Sequence, residues 1–133
     1  MKEFAHSQVS TLLRRLAAQV KRTAEAADAE SVHDLRVAIR RLSRALRSFA
    51  QFLPGKQWKR IRAELSNLMD AAAAVRDSDV ALELLEKAGA AQRARVALTL
   101  QARRSEAEAG LREELQNWQG RGFEREWRGA LEL

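Results

Sequence analysis

Nine Lys and Arg residues fall between positions 35 and 63, a stretch without Asp or Glu, and with a formal charge of +6 for the whole chain this leaves the remainder at −3. The basicity is therefore a local device rather than a general property. Within the block, His33, Arg36, Arg40, Arg44 and Arg47 share an arc of roughly 80° on a helix that turns about 100° per residue, a stripe about 21 Å long. Arg41 lies on its shoulder, and Leu35, Ile39, Leu42, Leu46 and Phe49 take the opposite side, so one helix can bury one face and present the other. An ordinary solvated face mixes signs. Here like charges stand at i, i+3 and i, i+4, which costs a few tenths of a kcal/mol per pair unless an anion or acidic neighbours relieve it. Arginine prevails over lysine, and its planar fork grips phosphate or carboxylate through two parallel hydrogen bonds. The chemistry expected is binding of a polyanion, with phosphate favoured.

A second cluster, AVRDSDVALELL, sets Arg76, Asp77 and Asp79 into an otherwise apolar run. On the heptad 61, 65, 68, 72, 75, 79, 82, Asp79 falls on the core-facing seam, where a carboxylate needs a partner. Asp77 and Asp79 are expected to pair with arginines of the second helix and so support the basic site. Arg76 is expected to point into the groove, with Lys59 and Arg62 along its rim. His33 and Asp34 are too few for zinc, which takes three or four ligands, and the chain has no Cys, so neither metal binding nor a cofactor is expected. No paired acids and no nucleophile-and-base arrangement point to an enzyme. One alternative is a histidine phosphotransfer protein using His33. Against it, Arg36 and Val37 crowd the approach where such domains usually keep a small residue. Another is an RNA- or DNA-binding module, weakened by the absence of aromatic residues among the arginines.

Four long helices must position these groups. The first spans about Glu3 to Ala26, with Val9, Leu12, Leu13, Leu16, Ala17 and Val20 at helical spacing. Ser31, with Asp34 reaching back in a capping box, starts the second, which Pro54 and Gly55 end. Trp58, Ile61, Leu65, Leu68, Ala72, Val75 and Leu82 carry a third to about Lys87, with a kink near Ala74. The fourth runs from about Ala91 to Trp118 with Val96, Leu100, Leu111 and Leu115, and GRG at 120–122 breaks it. FEREWRGALEL opens a fifth and leaves Phe123, Trp127 and Leu131 seeking cover. This predicts an all-α fold, an antiparallel bundle of four long helices plus a short C-terminal helical segment, in one domain spanning 1–133. No apolar run suits a signal peptide or a membrane span, so a cytoplasmic protein without membrane contact is expected.

VHDLRVAIRRLSRALRSF followed by AVRDSDVALELL resembles the conserved histidine α-helical domain, CHAD, in both motifs, their order and their separation. The resemblance implies an all-helical fold and inorganic polyphosphate as ligand, with some family members associated with polyphosphate granules. Carried over by position, it assigns His33, Arg36, Arg40, Arg41 and Arg76 to the family's binding residues. Where the family often continues RRLR, this chain has Ser43 and then Arg44, and alanines at 73 and 74 replace a common glycine. The family usually comprises two similar helical halves around a basic pore or groove, and this chain resembles the first over nearly its whole length. Two copies are therefore expected to pair as a homodimer, with the apolar C-terminal segment as the joining surface.

Overall fold

The computed structural model describes residues 1–133, apart from the side chains of 90–92. It is all-helical: α1 (Lys2–Glu25), α2 (Ala29–Ser48), a 3₁₀ turn (Ala50–Phe52), α3 (Gln57–Glu86), α4 (Ala90–Gly120) and α5 (Phe123–Ala130). Each long helix packs on the next and α4 closes back on α1, giving the four-helix bundle. The apolar seams supply its core. Val9, Leu13, Leu16 and Val20 meet Leu35, Ile39, Leu42 and Leu46, and Ile61, Leu65, Leu68 and Leu111, Leu115 close the other half. No helix is long and apolar enough to cross a membrane among the described residues.

Three local expectations change. The N-cap of α2 is Asp28, whose carboxylate accepts from the Ser31 amide at 2.8 Å. Ser31 lies inside the first turn, buried, with its carbonyl receiving the Thr23 hydroxyl at 3.3 Å. Both residues are capping types three positions apart, and packing against α1 decides between them. Asp34 makes no capping box; it takes Arg22 of α1 at 2.7 Å. α3 is continuous through Ala74, where the Ser78 hydroxyl bonds to the Ala74 carbonyl at 3.0 Å.

The C-terminal segment covers itself. Gly122 adopts φ 65°, a left-handed turn that an L side chain resists, and α5 folds back so that Trp127 packs edge to face with Trp118 and Phe123, which are tilted against each other, all with centroids 5.0–5.2 Å apart. Phe123, Trp127 and Leu131 are buried. The apolar surface expected there to join two copies is thus consumed within the chain.

α3 and α4 outrun their neighbours. Arg104 and Arg112 of α4 donate to the carbonyls of Ala27 and Ala24, which places the α1–α2 turn beside residues 104–112. Beyond it α3 and α4 continue as a two-helix hairpin of about 15 Å at 1.5 Å per residue. No described side chain between Arg76 and Gly110 is buried, for a pair of helices cannot enclose a core. Leu82 and Leu100, expected on the seam, are half-buried, and Val96 is 41 % exposed.

Candidate anion-binding groove

Four core turns hold α2 against α1 and α3, and this orients its arginines. Leu35, Ile39, Leu42 and Leu46 point inward. The residues between them are then forced outward along the α2–α3 seam, where an open groove of about 250 Å³ is lined by Ile39, Arg40, Ser43, Arg44, Arg62, Leu65, Ser66 and Met69. Apolar side chains form the floor and three arginines the walls. Arg62 is aimed by Ser43, whose hydroxyl accepts from its Nε at 3.1 Å, so the serine that departs from the family's RRLR run has a structural task. One turn before Arg40, Arg36 is half-buried, and its shielded Nε has no protein partner.

None of His33, Arg36, Arg40, Arg41, Arg44, Arg47, Lys59 or Arg62 enters an ion pair among the described residues. The acids that the like-charged stripe could have used are held elsewhere: Asp34 by Arg22, and Glu64 by Arg60 and Arg121. Hydrogen bonding to Asp34 in turn raises the pKa of the Arg22 guanidinium.

The other assigned residues spread along and around the groove. Since Ser43 meets Arg62 and the helices run antiparallel, Arg47 and Lys59 lie toward one end, where the Lys59 ammonium sits 5.6 Å from the Trp58 ring centroid. At the other end, counting residues at about 1.5 Å each puts Arg76 about 6 Å beyond His33 along the axis. Arg76 is half-buried with its nearest carboxylate, Glu83, 3.8 Å away. His33 is exposed in the second turn of α2, and Asp28 already serves the free amides of the first. Hydrogen bonding from Ser31 holds the Asp28 carboxyl below its usual range, with the charges of Arg22 and Arg104 adding to the effect.

Arg41 turns away. It lines a separate cleft of about 230 Å³ between α1 and α2, with Arg15, Gln19 and Asp34. Arg15 is a cation the sequence reading passed over, although the adjacent pair Arg14 and Arg15 marked a basic edge on α1.

Asp77 and Asp79 do not pair with α2. At their height α2 has barely begun, so no stripe arginine can reach them. Asp79 instead binds Arg104 of α4 at 3.1 Å, and that guanidinium also meets Glu108 at 2.8 Å and the Ala27 carbonyl at 2.7 Å. Asp77 is exposed, with no ion pair among the described residues. The pair Asp79–Arg104 fixes α4, not the stripe. No group of three or more His, Cys, Asp or Glu capable of holding a metal occurs among the described residues.

The chain is thus an all-helical bundle with an uncompensated row of arginines beside an open groove. The family model for the CHAD domain matches residues 7–133, and the chain belongs to that family, which is associated with polyphosphate binding. No curated protein and no solved structure matches the chain at a significant level.

Proposed function

We propose that the protein binds inorganic polyphosphate along the α2–α3 groove, as a binding module without catalytic activity of its own. The observation that carries this reading is Arg40, Arg44 and Arg62 around one opening, with Arg36 one turn further along α2, and none of the four paired with a protein carboxylate. Pockets for small molecules typically enclose most of the ligand's surface. A shallow, open and cationic trough suits a flexible chain laid across it, each arginine meeting successive phosphates. The Lys59–Arg47 end and the His33–Arg76 end extend the track in both directions. Binding of this kind draws much of its strength from released counterions and gives location rather than turnover, which fits recruitment to polyphosphate granules.

The test is competition between long polyphosphate and single-stranded RNA at several salt concentrations, with Arg36→Glu/Arg40→Glu as the control. Polyphosphate is expected to win. If about five phosphates are neutralised, affinity should fall roughly 100-fold between about 50 and 200 mM salt. Each lost charge-assisted contact costs about 1.5–3 kcal/mol, so the double variant should weaken binding at least 100-fold. Unchanged affinity in that variant at low salt would place the site elsewhere, and RNA winning would favour the nucleic-acid reading. Labelled phosphodonors should leave the wild type and His33→Gln equally unlabelled; label dependent on His33 would make the protein a phosphotransfer domain.

A further inference from the structure

The outward face of α4 carries a second charge pattern that the anion groove does not use. Arg95, Thr99, Arg103, Glu106, Gly110 and Glu113 follow one another at spacings of three and four, within an arc of about 80°. All six are exposed. The four charged ones take part in no ion pair among the described residues, in contrast to their neighbour Arg104. The order is basic, small, basic, acidic, small, acidic: the second half is the first reversed with its charges inverted.

We propose that this face is the contact between two copies of the chain, packed with their α4 helices antiparallel about a two-fold axis passing between positions 104 and 105. That operation sets Arg95 against Glu113 of the second copy, Arg103 against its Glu106, and Thr99 against its Gly110, and each contact occurs twice. Parallel packing or a shift by one turn brings like charges together. Bordering the stripe, with Arg103 and Glu106 on its edge, runs an open groove of about 450 Å³ otherwise lined by Ala71, Ala74, Ser78, Ala107, Gly110 and Leu111. Such small side chains let two helices approach closely. Along the hairpin the same surface continues past Leu82 and Val96, which the chain leaves incompletely covered. A second copy completes a four-helix arrangement where two helices stand alone.

The contact leaves the anion groove free, because Arg40, Arg44 and Arg62 lie on the α2 side of α3 and this face lies on its α4 side. The dimer would therefore present two arginine rows, and a long polyanion bridging them would gain from effective concentration. The dimer itself does not depend on the identity of the ligand.

Sedimentation of the full chain at micromolar concentration and low salt is expected to give a dimer mass. Arg103→Glu places four acidic groups at the axis and should give a monomer, while Arg103→Glu/Glu106→Arg restores opposite charges and should restore the dimer. Circular dichroism of each variant verifies the helical fold. A monomeric wild type overturns the proposal, as does a dimer indifferent to Arg103→Glu or a double variant that stays monomeric although folded. Mixing a Thr99→Cys chain with a Gly110→Cys chain under mild oxidation should give the mixed disulfide in excess over either self-linked product. The opposite preference would overturn the antiparallel register.

Discussion

Arg104 of α4 and Arg40 of α2 are the same side chain on helices of one bundle, yet their surroundings differ. Arg104 is closed by Asp79, Glu108 and the Ala27 carbonyl. Arg121 takes Glu64 at 3.0 Å and lies over Trp118, Arg128 takes the Ser10 hydroxyl at 2.7 Å, and Arg112 takes the Ala24 carbonyl at 3.0 Å. On the α2–α3 side Arg36, Arg40 and Arg44 meet no carboxylate, and Arg62 has only Ser43. The first set joins segments far apart in sequence; the second is left for something outside the chain. Composition alone counts both sets as basic residues, and only the partners separate a structural arginine from a binding one.

Breaking the paired side should register as lost stability. Arg104→Ala leaves Asp79, 16 % exposed, without its counter-charge and the Ala27 carbonyl without its donor. The expected loss is about 3 kcal/mol, or about 10 °C in a thermal melt, with polyphosphate affinity retained. Asp28→Ala removes the α2 cap and should lower the melting temperature by less than Arg104→Ala does. Because the folded-state pKa of Asp28 is depressed, its contribution is complete above the ordinary carboxylate range and is lost as pH falls through the folded value. The melting gap between wild type and Asp28→Ala should therefore close on acidification.

Smaller effects sharpen the contrast. Burial first, and then the charge of Asp70, raise the pKa of the Glu114 carboxyl, so its ionised form is a liability in the folded state at neutral pH. Glu114→Gln should raise the melting temperature there slightly, since solvent screens a partly exposed carboxylate, and the gain should vanish once pH falls below the carboxylate range. On the unpaired side Arg40→Gln should stabilise slightly, by a few tenths of a kcal/mol, because it relieves repulsion within α2 while breaking no ion pair. A destabilised Arg40→Gln in chemical denaturation would show that the stripe holds the fold together.

The register of α2 was legible because a helix with Leu35, Ile39, Leu42 and Leu46 inward has one way to turn its arginines. The capping of α2 was not, since Asp28 and Ser31 both fit the role and the decision lies in Ser31 packing against Thr23 of the preceding helix. The wheel set Arg41 on the shoulder of the stripe, about 100° from Arg40, but not that this shoulder faces α1 while Arg40 faces α3. The partner of Asp79 was missed for a similar reason. Helical periodicity placed the carboxylate on the seam, but only the relative ends of α2 and α3 decide that α4 is the neighbour at that height. The α5 aromatic residues looked unpartnered because the turn at Gly122, which returns them to Trp118, is a tertiary event.

The most direct measurement compares two triple variants that each remove three positive charges: Arg36→Gln/Arg40→Gln/Arg44→Gln and Arg112→Gln/Arg121→Gln/Arg128→Gln. Polyphosphate affinity at low salt and thermal stability are read on both. The groove variant should lose at least about 100-fold in affinity with its melting temperature kept, and the scaffold variant should melt earlier with its affinity nearly intact. Equal loss of affinity in the two would mean that net charge alone attracts the polyanion, and would contradict a built groove between α2 and α3.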